Sequence, residues 1–198
     1  MLRIGALAQE QGLLSLMHSN GYINPTPLKR LCQVLDAANI DLKGFNESYY
    51  RKYCGGELAP VLESLKILKR SKVHLEITNL IVPTLNDNTA EIKKMCRWLK
   101  DELGPYTPLH FFRFYPLYKL ANLPPTPVAT LEKARDAALS CGLKHVYIAN
   151  VPGHAGQNTY CPQCGRLLIQ HIGYMVGEMR LKAGKCPFCG QKIKGIWA

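Results

Sequence analysis

The sequence predicts an α/β fold: a partial TIM-like (β/α) barrel with parallel strands, followed by a small C-terminal β unit of the zinc-ribbon kind. Three observations predict it. Short apolar runs alternate with amphipathic stretches from residue 13 to 150, the spacing of βα units. Polar residues gather where each apolar run ends. Two Cys-Pro-x-Cys-Gly knuckles close the chain, Cys161-Pro-Gln-Cys164-Gly165 and Cys186-Pro-Phe-Cys189-Gly190.

Five strands are predicted, Leu13–His18, Asn39–Leu42, Val73–Val82, Leu109–Tyr115 and Lys144–Ala149, with helices over 26–36, 57–70, 88–102 and 127–141. Pro27 suits a first helical turn, Asn88 and Thr89 suit an N-cap with Glu91 close behind, and Gly142 follows the last periodic residue of its helix. Between the knuckles, Arg166–His171 and Tyr174–Met179 read as short strands. The division expected is a barrel over 1–155 and a four-cysteine metal domain over 156–198. Met1–Gly12 reads as the last turns of an amphipathic helix with no strand before it, and an open five-stranded sheet would expose its first edge.

The composition, 47% hydrophobic and 20% charged, is that of a chain that packs a core. The formal charge of +11 favours anionic substrates, acidic proteins or nucleic acid without choosing among them. No run is long and apolar enough for a membrane span, and the opening residues carry Glu10 and no small-residue cleavage site, so no membrane partner and a cytoplasmic location are expected. Eight cysteines, four in paired knuckles and four scattered singly, fit a reducing compartment rather than a disulfide framework.

In each knuckle two intervening residues let both thiolates reach one ion, and the glycine after them lets backbone N–H groups turn toward sulfur. Cys161, Cys164, Cys186 and Cys189 therefore form a closed tetrahedral sulfur site. Zinc is the first expectation, and iron in a rubredoxin-like site uses the same four sulfurs. A closed shell is structural, so chemistry is expected elsewhere, at the polar strand ends: Ser19-Asn20, Asp41 with Lys43, Thr78-Asn79, Arg113 with Tyr115, and Asn150 with His154. Asp41 and Lys43 sit at alternate positions, so their side chains lie together, as functional groups or as a plain ion pair. Cys32, Cys54, Cys96 and Cys141 read as buried thiols. His18, His74, His110 and His145 match no metal spacing.

At Ser19-Asn-Gly-Tyr-Ile-Asn-Pro25, Ala38-Asn-Ile-Asp-Leu-Lys-Gly-Phe45 and Val151-Pro-Gly-His154, running into the first knuckle and the closing Gly195-Ile-Trp197, the chain resembles the radical SAM enzymes of the AmmeMemoRadiSam system, relatives of pyruvate formate-lyase activating enzyme. The resemblance covers nearly the whole chain. It implies a partial barrel that holds a [4Fe–4S] cluster and S-adenosylmethionine, cleaves the sulfonium reductively and abstracts hydrogen from a substrate. By the same resemblance Asp41 and Lys43 lie by the methionine moiety of the cosubstrate, with Ser19 and Asn20 on the neighbouring strand. Arg113 and His154 lie toward the adenosine or substrate end. The departure is the cluster loop: no cysteine precedes Cys32, and no cysteines have the spacing C-x-x-x-C-x-x-C. The expectation is a C-terminal portion of such an enzyme, catalytically incompetent alone, whose parent would hold both cofactors. A protein substrate, a partner subunit or the missing N-terminal portion are the partners that follow.

Two other classes compete. A basic zinc-ribbon binding module would use the six Lys and Arg against one Glu of residues 161–198, but only Tyr174, Phe188 and Trp197 there could stack bases, and nucleic acid is not the expected partner. An aldolase would need Lys43 as a Schiff base that borohydride traps with a carbonyl substrate.

Overall fold

The structure, a computed structural model, describes residues 1–173 and 175–197. Tyr174, read above as the start of a ribbon strand and as a stacking aromatic, lies outside the described residues.

Helix α1 (Leu2–Glu10) leads into β1 (Leu16–Ser19), and then α2 (Pro25–Leu31), β2 (Ala37–Asp41), α3 (Glu47–Tyr49), α4 (Leu58–Arg70), β3 (His74–Ile81), α5 (Thr89–Trp98), β4 (Leu109–Arg113), α6 (Val128–Ser140) and β5 (Val146–Ala149) follow. Local chemistry accounts for the boundaries. The Asn88 side chain accepts from the N–H groups of Ala90 at 2.9 Å and Glu91 at 3.2 Å, as its capping role predicts. At the end of α6, Gly142 takes φ +100° and donates to Leu139 while Leu143 donates to Ala138, the paired bonds of a Schellman cap. The first strand starts later and ends one residue further on than predicted, which brings Ser19 inside it. Helix α3, running on as a π turn over Tyr50–Cys54, was not predicted, although Asn46 caps it by accepting from the Tyr49 N–H at 2.7 Å.

The five strands form one parallel sheet in the order β1-β2-β3-β4-β5. The register sets Ile40 beside Ile77, Ile77 beside Leu109 and Leu109 beside Val146. Alternation puts these, with Met17, Ala38, Phe111 and Ile148, on one face, where they merge with Leu65 and Leu68 of α4, Ile92 and Met95 of α5, and Leu131 and Ala134 of α6 in one core. The opposite face carries His18, Asn39, Asp41, His74, Glu76, His110 and Tyr147, none of them fully buried. Parallel sheets are normally covered on both faces. Here the second cover is a small antiparallel sheet, β6 (Thr159–Tyr160), β7 (Leu167–Ile172) and β8 (Met175–Met179), which faces β3, β4 and β5 across a cavity. The end of the polar face at β1 and β2 stays open. β1 is an edge strand, and Leu13, Leu14 and Leu16 beside it are exposed. No helix of the described residues is long and apolar enough to cross a membrane.

Candidate metal centre and polar sheet face

The two knuckles are built alike. In the first, the Cys161 N–H donates to the Arg166 carbonyl and Gly165 donates back to Cys161; in the second, Cys186 donates to Gln191 and Gly190 back to Cys186. Gly165 and Gly190 have φ of +70° and +74°, and a Cβ at either would meet nothing within 4 Å. Glycine is therefore required for the left-handed turn itself rather than for room beside the sulfur. The four ligand sulfurs lie within 4.8 Å of one another, with Cys161 and Cys189 3.6 Å apart and Cys164 and Cys186 3.7 Å apart. Tetrahedral zinc with sulfur at about 2.3 Å sets sulfurs about 3.8 Å apart, so the donor set is compatible with a single metal ion. Burial opposes ionisation of Cys186, but the N–H groups of Phe188 and Cys189 and the neighbouring thiols bring it down to about 7. Cys189 moves the other way. The Gln191 N–H lowers it, yet burial and the other three thiols outweigh that and push it to about 12. Four crowded sulfurs do not all ionise without a cation among them. Among the described residues the buried apolar cluster around the site is Cys161, Leu168, Ile169, Cys186 and Ile193, with Leu181 and Trp197 partly buried against it, a core too small to hold a sheet unaided.

The remaining cysteines do not assemble. Cys96 is buried and Cys32 and Cys141 are half-buried, but Cys54 is exposed, contrary to the expectation that all four are buried thiols. Among the described residues the knuckle cysteines form the one metal-competent group. The residues present do not fit a [4Fe–4S] cluster.

Asp41 and Lys43 do come together, Nζ lying 2.6 Å from Oδ2, and His18 on the neighbouring strand approaches Oδ1 at 3.6 Å. The turn that carries Lys43 is pinned on three sides. Leu42 O accepts from the Asn79 side chain at 2.6 Å, Lys43 O accepts from Asn86 at 2.8 Å, and the Lys43 N–H donates to the Tyr50 hydroxyl at 3.2 Å. Such support holds a side chain in a fixed pose before any ligand arrives. Nζ of Lys43, the atom a Schiff base would use, is thus held in an ion pair with Asp41.

The other predicted residues lie apart. By register Ser19 points to the helix side of the sheet, opposite Asp41, and its hydroxyl accepts from the Gly21 N–H at 3.2 Å. Asn20 accepts from the Tyr22 N–H in a local turn. Arg113 donates to the Thr126 carbonyl and the Tyr115 hydroxyl, with its guanidinium 5.0 Å from the Tyr115 ring centre. His154 bonds Glu132 of α6 at 3.1 Å and accepts from the Gly156 N–H. None of these is hydrogen-bonded to Asp41 or Lys43 among the described residues. Of the ribbon aromatics, Phe188 lies 4.5 Å beneath the Arg166 guanidinium and Trp197 packs against the ribbon core.

A group not singled out from the sequence occupies the covered half of the polar face. Glu76 Oε1 accepts from His74 Nε2 at 3.0 Å and Oε2 accepts from His110 Nε2 at 2.8 Å. His110 stacks on Tyr147 at 4.8 Å, and the Tyr147 hydroxyl reaches Thr159 of β6 at 3.2 Å. The signal available was Glu76 inside a strand, two residues after His74, in an otherwise apolar run. Burial opposes ionisation of Glu76, but hydrogen bonds from His110 and His74, and then their charges, hold it well below the usual carboxylate range. A carboxyl depressed on folding contributes stability that is present above its unfolded value of about 4.3 and lost as pH falls below it. Glu76→Gln is accordingly expected to lower Tm at pH 7, and the gap to the native chain should narrow in melts taken at about pH 3.5. A gap independent of pH would contradict this assignment.

No protein-family model matches the chain. An uncharacterised protein of Methanocaldococcus jannaschii is 48% identical over 195 residues, 98% of this chain and 58% of that protein. The chain therefore spans 58% of the length of the curated relative it matches. Among solved structures, a domain of pyruvate-formate lyase-activating enzyme from Bacteroides vulgatus is similar over 75% of this chain and 89% of its own, at TM-score 0.65 and 12% identity. A radical SAM methyltransferase from Sphaerobacter thermophilus is similar over 74% of this chain and 46% of its own, at TM-score 0.54 and 13% identity. TYW1, in a structure with a lysine-pyruvate adduct bound, is similar over 70% of this chain and 44% of its own, at TM-score 0.51 and 16% identity. The shared feature is the α/β fold.

Proposed function

We propose that this chain is the cosubstrate- and substrate-facing part of a radical SAM enzyme, with the division near residue 155 separating that part from a structural zinc ribbon. The observation that carries the reading is the Asp41–Lys43 pair, pinned on the open half of an otherwise covered polar face in a scaffold of radical SAM type. A carboxylate and an ammonium held side by side match the amino acid end of S-adenosylmethionine, whose ammonium and carboxylate they would meet in opposite sense. The AmmeMemoRadiSam system is the branch that the motif order favours.

A [4Fe–4S] cluster supplies the electron for reductive cleavage in such enzymes, and its ligands would come from outside these 198 residues, from further sequence of a longer protein or from a partner subunit. The edge strand β1 with exposed Leu13, Leu14 and Leu16 is where added strands would join. A protein substrate is the other partner class this reading admits. A reducing compartment such as the cytoplasm suits the unpaired cysteines.

Two measurements test the reading. Anaerobic reconstitution of this chain with iron and sulfide is expected to yield no [4Fe–4S] absorbance, and a stable cluster that cleaves S-adenosylmethionine would overturn the division of labour. Titration with S-adenosylhomocysteine is expected to show binding that Asp41→Ala weakens by about tenfold or more, the loss of one charge-assisted contact. Equal affinity of the variant would remove Asp41 from the site.

A further inference from the structure

The polar face is divided between two sites, and the covered one is not explained by cosubstrate binding. A cavity of about 590 Å³ lies between β3, β4 and β5 on one side and the ribbon on the other. Its floor is the Glu76 group, its walls include Phe112, Tyr147 and Trp197, and the ribbon contributes Thr159, Ile169 and His171. We infer that this cavity binds a flat nitrogen heterocycle that presents N–H donors to Glu76 and its histidines, the geometry being the His74–Glu76–His110 cluster enclosed by aromatic walls.

An ionised carboxylate only accepts, so the two bonds to Glu76 require the proton of each imidazole to be on Nε2. Neither Nδ1 makes a hydrogen bond to the described residues. Both Glu76 oxygens also keep a lone pair free. The floor thus keeps carboxylate acceptors open to a ligand.

Charge and shape narrow the class. An anionic ligand would meet the Glu76 carboxylate on the floor, although Lys194 also lines the cavity, and a plain hydrocarbon would leave the floor unpaired. The volume falls within the range of small-molecule sites, and flat aromatic walls favour flat ligands. A ring carrying an amino group or ring N–H satisfies all three conditions.

Cytosine and 2-aminopyrimidine are suitable probes, with benzoate and toluene as controls of similar outline. Calorimetry on the full metal-loaded chain is expected to show saturable binding of both probes below about 10 mM, at least tenfold tighter than either control. The side-chain ¹⁵N resonances of His74 and His110 should shift with probe. Excess S-adenosylhomocysteine should not displace it. Glu76→Gln, with metal content confirming the fold, should weaken binding about tenfold. Absence of saturable binding, equal affinity for benzoate or toluene, displacement by S-adenosylhomocysteine, or unchanged affinity in Glu76→Gln would each overturn the inference.

Discussion

Cys186→Ser is expected to strip the C-terminal site of its metal and to melt β6, β7 and β8 while leaving the parallel sheet folded. Structural zinc in small sulfur sites contributes apparent binding energies of about 10–16 kcal/mol at neutral pH, and that energy is folding energy wherever the apo site is not preformed. Against it stands a ribbon core whose buried apolar members among the described residues are Cys161, Leu168, Ile169, Cys186 and Ile193, two of them candidate metal ligands themselves. Removal of one thiolate leaves three crowded sulfurs and Leu168, Ile169 and Ile193, which do not bury enough apolar surface to order a three-stranded sheet. Elemental analysis should show the metal-to-protein ratio falling from about one to near zero, and amide exchange should show Leu167–Ile172 unprotected while His74–Ile81 stays protected. Because the ribbon forms one wall of the cavity above Glu76, cytosine binding should disappear in the same variant. A metal-free variant that keeps its ribbon protected would show that packing alone holds the sheet.

Phe111→Ala should carry the largest cost within the parallel sheet. Phe111 is fully buried at the centre of β4, in register with Asn79 on one side and Ile148 on the other, beneath the helix layer. Phenylalanine-to-alanine changes in such positions cost about 3–5 kcal/mol through lost transfer energy and the cavity left behind. Set against a total stability of about 5–15 kcal/mol, that is enough to shift the denaturant midpoint far to the left. The metal content of the folded fraction should not change, since the knuckles do not touch this core. A loss of under about 1 kcal/mol would mean that the helices collapse onto the gap.

The parts of the molecule that were legible in the sequence are those whose cause is local. A knuckle is a short turn whose glycine has to accept positive φ, and two of them name their own ligands wherever the chain carries them. The parallel strands were legible because burial of one face repeats along the chain. Asp41 and Lys43 could be paired on paper because two residues on one strand share a face regardless of what surrounds them. The π turn after α3 was missed because its cap, Asn46, sits in a polar segment without apolar periodicity.

What only the tertiary structure decided is the meeting of residues from different elements. A one-residue slip of register moves every side chain of a strand to the other face, and the pairing of Ser19 with Ile40 puts Ser19 on the helix side, away from Asp41. His154 follows a strand end, yet the loop turns it onto Glu132 of α6. His74 and His110 stand far apart in the chain and match no metal or catalytic spacing. The register between β3 and β4 brings both to Glu76, and the ribbon, held by its four cysteines, encloses them. Local spacing determines which residues can share one ion. Strand register and domain packing determine which residues share one cavity, because those contacts are made between segments that no sequence window contains together.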